Sequence, residues 1–313
     1  MVRPAKLRCQ IEVENPTEFD IVSRMNRTLL LRASVAAVFL VGGWIAYTQN
    51  RGGQPPQLNL NKVKDDLYEI EGDGGNVAVY ITDDGVILVD DKFERDHDTI
   101  MERIKGVTSK PVKYVLSTHY HEDHSGGNAK MLSSNAEIIS TANARKNILA
   151  HIQSNAGIIP TPARITFTQE EDVVLGGKEV RARFFGRGHT NGDAVIYFPA
   201  LRTIHTGDLM AGTTPLIDYP GGGSLADWTT TLDEVLNDLD FDTVIPGHGA
   251  VTNKAGLLLY RNNVEKLQNR VKGLIRDGKK ADDIGKIMIA EYGWVEKDLH
   301  FQWSLPGMMT EMR

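Results

Sequence analysis

Residues 119 to 124 read His-Tyr-His-Glu-Asp-His, which puts three imidazoles and two carboxylates in six positions. Imidazole nitrogen and carboxylate oxygen are the ligands that zinc and similar divalent ions take. An extended backbone carries side chains two apart to one side, so His119 and His121 share a face. A turn after them would bring Asp123 and His124 to a neighbouring point. That arrangement suits two adjacent ions. Histidines that only capped turns or bonded backbone would need no matching ligands elsewhere, yet such ligands occur. His189 stands in "GRGHTNGDA", Asp208 in "HTGDLM" and His248 in "PGHGA", each where a strand runs into a loop. Side chains at such junctions can converge on one rim from distant parts of the chain. The single cysteine is Cys9, so a thiolate-rich site or a disulfide framework is excluded and the ligands must be nitrogen and oxygen.

The elements around these residues are legible from period and punctuation. "LYEIEG" and "NVAVYITDDGVILVDD" alternate or run in β-branched residues, and the turn "DDG" (83–85) makes the second stretch a hairpin. A helix is predicted over 94–105, then a buried strand "KYVLST" (113–118) that delivers the histidine motif. Helical patterns "GNAKMLSS" and "TANARKNILAHIQS" flank a short strand "AEIIS". A second β-rich block follows in "EDVVLGG", "KEVRARFFG", "DAVIYFP" and "RTIHTGD", then a helix at 225–238, a strand "DTVIP" and a helical tail from about 253. A β-rich half with helices, repeated once, predicts an α+β fold. Two mixed sheets would pack face to face, with helices on both outer faces, as an αββα sandwich.

The 313 residues are ample for such a core, and 41% hydrophobic with 24% charged residues is ordinary for a globular chain. A net charge of −6 provides no basic field for a nucleic acid, so none is expected as partner. Residues 25–50 carry Arg27 and Arg32 ahead of an apolar run, the layout of a signal peptide or N-terminal anchor, with membrane anchoring through residues 29–47. Residues 1–24 read as an upstream extension and 51–61 as a linker. The domain proper spans 62–252, and 253–313 is a helical extension packed on it. This organisation predicts an extracytoplasmic protein, periplasmic or tethered to the inner membrane.

The order HxHxDH, GHT, GD, GHG resembles the metallo-β-lactamase-fold superfamily over about residues 62–252, and "GVILVDD" resembles its strand that ends in a supporting aspartate, here Asp90. The resemblance implies a first zinc on His119, His121 and His189 and a second on Asp123, His124 and His248. Asp208 bridges the two, and Asp123 and Asp208 act in catalysis. Two Zn(2+) sharing an aspartate would hold a hydroxide, its pKa lowered to roughly 7, that attacks a carbonyl. The expected activity is hydrolysis of a small ester, thioester, lactone or cyclic amide, in the manner of glyoxalase II. The subclass of β-lactamases with a cysteine ligand is not matched, and "GDLMAGTTPL" lacks the lysine that often anchors a β-lactam carboxylate. β-Lactamase activity is therefore expected only as a weak accompaniment.

Two readings compete. A mononuclear Fe(2+) persulfide dioxygenase of the same fold would use His119, His189 and Asp208. A ribonuclease would keep every ligand but would want a basic groove. The flavodiiron pattern HxExDH is not met, because His121 stands at the glutamate position. Around the centre, Glu122 is expected to face away and His205 to pack or hydrogen-bond. His97, His151 and His300 read as surface or structural. Residues 215–228, "PLIDYPGGGSLADW", suggest a substrate loop or a helix cap at Ser224.

Overall fold

The computed structural model describes residues 57–154 and 160–313. The residues read as extension and apolar segment lie outside these. Strands β1 (Asn59–Lys64), β2 (Leu67–Glu71), β3 (Val77–Ile81) and β4 (Val86–Val89) form an antiparallel meander. Asn59 to Asn61, read as the end of the linker, instead open β1, where they pair with β2. Helix α1 (His97–Lys105) crosses to β5 (Val112–Leu116), parallel to β4. Two short helices, α2 (Glu122–Ser125) and α3 (Asn128–Ser133), lead to β6 (Glu137–Thr141), and α4 (Ala142–Ser154) precedes β7 (Ile165–Phe167). These strands make a seven-stranded sheet in sequence order, β1 to β7.

The second sheet has six strands in the order β13-β12-β11-β10-β9-β8. They are β8 (Glu170–Leu175), β9 (Lys178–Arg183), β10 (Val195–Phe198), β11 (Thr203–His205), β12 (Thr243–Ile245) and β13 (Thr252–Asn253). Between β11 and β12 runs α5 (Leu225–Asp238), and α6 (Lys254–Arg276), α7 (Ala281–Tyr292), a π-helical turn (His300–Ser304) and α8 (Leu305–Glu311) complete the chain.

Alternation along each central strand sorts side chains between layers, since successive residues face opposite sides. Ala78, Tyr80, Ile87 and Val89 meet Ala182, Ile196 and Phe198 between the sheets. Their neighbours Val77, Val79, Val86 and Leu88 face outward onto Ile100, Ile104 and Met131 from α1 and α3. On the other sheet Val195 and Tyr197 face outward onto Leu232, Leu257 and Met308 from the later helices. Two mixed sheets with helices on both outer faces give the αββα sandwich expected. The short pairings β7 and β13 escaped the sequence reading. No helix of the described residues is long and apolar enough to cross a membrane.

Candidate metal centre

Parallel pairing sets the rim. β4 and β5 end side by side, as do β11 and β12. Past β5 the chain bends through Thr118–Tyr120, and His121, with an extended backbone, leads directly into α2. His119 and His121 therefore precede the helix, and Asp123 and His124 lie on its single turn. His189 lies between β9 and β10, where Asp193 accepts from the Thr190 amide at 2.8 Å and folds the loop inward. Asp208 occupies a 3-10 turn after β11, and His248 follows β12. The structure brings every predicted ligand together.

Two triads result. In the first, His121 Nδ1 lies 3.1 Å from His119 Nε2 and 2.9 Å from His189 Nε2. In the second, His248 Nε2 lies 3.2 Å from His124 Nε2 and 3.2 Å from Asp123 Oδ2. Asp208 stands between them: Oδ2 is 3.6 Å from His189 Nε2, while Oδ1 is 3.2 Å from His124 Nε2 and 3.5 Å from His248 Nε2. Ligand atoms about 2.0–2.1 Å from a tetrahedral zinc sit about 3.4 Å from one another, so both triads have the spacing that zinc requires.

The outer ring nitrogens are committed elsewhere, which fixes the tautomers and aims the inner ones. His189 Nδ1 donates to the Leu216 carbonyl at 2.7 Å, and His121 Nε2 lies 3.0 Å from Asp218 Oδ2. His119 Nδ1 is 3.0 Å from Thr118 Oγ1, and His124 Nδ1 is 2.8 Å from Asp90 Oδ2. Supporting carboxylates and carbonyls of this kind accompany metal-binding histidines generally. Asp90 also accepts from the Thr118 amide at 2.7 Å and hydroxyl at 2.8 Å. It adopts a left-handed backbone, φ 63°, that aspartate tolerates better than most residues.

The electrostatics leave a place for a cation. Burial, reinforced by neighbouring imidazoles, holds His119 well below its ordinary pKa and brings His189 down to about 4, so both present lone pairs. Burial opposes charge on His121 and His124 too, but the Asp218 carboxylate beside the one and Asp208, Asp123 and Asp90 around the other raise both pKa values. Asp208 Oδ1 is buried without a hydrogen-bond partner among the described residues. A buried carboxylate oxygen facing imidazole nitrogens at such distances fits a metal ion and leaves an apolar site costly. The backbone makes room for this: a Cβ at Gly247 would collide with Asp208 Oδ1, and one at Gly75 with the His124 ring.

Glu122 and His205 join neither triad. His205 is fully buried, brought down to about 4 by that burial, donates from Nε2 to the Asn76 carbonyl and accepts the Gly207 amide on Nδ1. His97, His151 and His300 bond Asp98, the Asn147 carbonyl and Asp298 and stay outside the cluster. Residues 215–228 are pinned, with Ile217 and Asp218 fully buried and Ser224 capping α5 by accepting the Asp227 amide at 3.1 Å. The helix cap expected at Ser224 is formed. Sequence reasoning missed Asp218, which also accepts from Tyr120 OH at 2.5 Å. An acid inside the apolar run "PLID" ahead of a glycine turn was the available signal. It also missed Trp303, whose ring stacks on His121 and which had no motif around it.

Known proteins resemble this chain in sequence and in fold. A sequence model described as the metallo-beta-lactamase superfamily matches residues 70–248. A metallo-beta-lactamase type 2 of Elizabethkingia meningoseptica is 26% identical over 212 residues, 63% of this chain and 81% of its own length. Metallo-beta-lactamase IND-1 of Chryseobacterium indologenes is 27% identical over 176 residues, 55% of this chain and 71% of its own. Among solved structures, a metallo-beta-lactamase from Pontibacter korlensis matches with a TM-score of 0.59 at 19% identity, covering 67% of this chain and 99% of that one. The DIM-1 metallo-beta-lactamase gives 0.59 at 21% identity, covering 68% and 100%. At these identities the structural likeness concerns the fold.

Proposed function

The chain belongs to the metallo-β-lactamase superfamily and is a metallo-hydrolase, and from that premise we propose a dinuclear zinc enzyme that hydrolyses small esters, thioesters, lactones or cyclic amides. In this reading His119, His121 and His189 hold one ion and Asp123, His124 and His248 the other, with Asp208 shared. The observation that carries it is Asp208, whose two oxygens face different triads. Bound zinc supplies a Lewis acid for the carbonyl oxygen and water of lowered pKa as nucleophile.

The chain's own residues do the rest. Asp123, whose side chain is 27% exposed, reaches the accessible side of the centre, where it can orient water and accept its proton. Asp208 is 8% exposed and keeps the triads in register without itself meeting solvent freely. Asp218 and Leu216 fix the histidines of the first triad, and Asp90 fixes His124, so the inner nitrogens need not reorganise during reaction. A site built on His119, His189 and Asp208 alone, as an iron dioxygenase would have it, leaves unused the His121 nitrogen lying 2.9 Å from His189. β-Lactams are proposed as secondary substrates. We also place the enzyme outside the cytoplasm, on the strength of the basic and apolar run at 25–50.

Elemental analysis of protein purified without chelator tests the reading. Close to two zinc per chain, with turnover of a thioester, lactone or β-lactam that chelator abolishes and zinc restores, is the expected result. One iron per chain with no hydrolysis would overturn it.

A further inference from the structure

The C-terminal segment lies beyond the 70–248 stretch common to the superfamily, yet it reaches the first triad. Trp303, in the π-helical turn, stacks on His121 with ring centroids 5.5 Å apart and planes inclined by 29°. Two other tryptophans are core residues: Trp228 is fully buried and donates to the Leu209 carbonyl, and Trp294 is 3% exposed. Trp303 differs from both in being only half-buried: the N–H of Trp294 is sealed in the core without a partner, whereas that of Trp303 can meet solvent or a ligand. Part of its ring therefore faces outward beside a metal-facing histidine.

The position is enforced from both sides. The hydroxyl of Ser304, fully buried, donates to the Ile217 carbonyl at 2.9 Å and accepts the Ile217 amide at 2.9 Å. Ile217 sits between Leu216 and Asp218, the residues that orient His189 and His121. Further on, Glu311 accepts from Tyr219 OH at 2.6 Å, from Ser224 Oγ at 2.5 Å and from the Ala226 amide at 3.1 Å. Leu305, Met308 and Met312 anchor the same segment in the core. The indole is thus preorganised over the centre.

We propose that Trp303 is a wall of the substrate cleft and selects acyl groups carrying a flat apolar ring next to the scissile carbonyl, with the indole N–H available to an acceptor on that group. The proposal rests on the hydrolase reading. Water cleaves the thioester to a carboxylic acid and a thiol, and the ring of the acyl part lies against Trp303 throughout. Stacking on an aromatic face is worth roughly a 3- to 10-fold preference over an acyl group lacking the ring.

The test compares wild type with Trp303→Ala, Trp303→Leu and Trp303→Phe, all zinc-loaded, on phenylacetyl and acetyl thioesters of one thiol. The ratio of kcat/KM, phenylacetyl over acetyl, is expected to fall roughly 3- to 10-fold in the Ala and Leu variants, through KM, and to recover in the Phe variant. Calorimetric binding of phenylacetate against acetate should show the same loss, with zinc content unchanged. A ratio unaltered in the Leu variant overturns the proposal. So does a loss of zinc that depresses both substrates equally, because that marks Trp303 as a mere cover for His121. If wild type cleaves neither thioester but prefers phenylacetate, and Trp303→Leu abolishes that preference, the wall stands and the hydrolase reading fails.

Discussion

The two halves of the metal centre are built by different parts of the chain. The first triad is walled in: His119 and His189 are 1% exposed, His121 and His189 are supported by residues 216–218 and the C-terminal turn, and His119 by Thr118. The second is open on one side, with the His248 side chain 36% exposed. Its deep member, His124, leans on Asp90 at the end of β4 and on the Gly75 turn of the β2–β3 hairpin. Lys92 ties that turn down by donating to the Gly75 carbonyl at 2.5 Å. One half therefore depends on late, distant chain and the other on the sheet that carries it. Asp208 faces both, and Asp90 reaches His119 as well through Thr118.

Substitutions can separate the halves. Asp208→Ala should strike both and lower kcat/KM on the order of 10³-fold or more while far-UV circular dichroism stays native. Activity close to wild type would break the picture of a shared ligand. Asp218→Asn and Asp90→Asn should each weaken one ion by about 10- to 100-fold, Asp218→Asn the first and Asp90→Asn the second. Chelator competition followed by two-site fitting reads this, and loss of the same site in both variants would dissolve the distinction. Gly75→Ala pushes a methyl into the His124 ring and should cost about 1–3 kcal/mol in denaturant unfolding, where the second half alone is disturbed.

The smallest effect lies outside both halves. Glu69 on β2 is 2% exposed, and burial, with Glu71 nearby, brings its carboxyl up to about 7. A folded pKa above the unfolded one means that its contribution is full below about pH 4.5 and is lost as pH rises through 7. Glu69→Gln should therefore flatten a slope of about 1 kcal/mol per pH unit across that window. An unchanged slope would assign the dependence to the metal centre instead.

Legibility in the sequence followed the same division. Strands buried on both faces announce themselves as runs such as "VILV", and the candidate ligands at their ends come in short motifs, so the sandwich and the cluster of ligands could be read from residue order, while their division into two triads came from the family resemblance. Asp90 came from the resemblance of "GVILVDD" to the family's strand, since an aspartate at a strand end is by itself ordinary. Asp218 could not be read, since its importance arises only when a loop almost a hundred residues past His121 folds back against it. Trp303 was harder still. Nothing in its sequence neighbours distinguishes the half-buried ring from the buried Trp294.

Ser304 and Glu311 have a consequence for the order in which the site can become complete. Ser304 seats on Ile217 and Glu311 on the head of α5, so the loop that orients His121 and His189 is fastened by residues that follow every ligand in the chain. The histidine motif comes early in sequence, but the frame that holds its first triad closes only with the last turn of the chain.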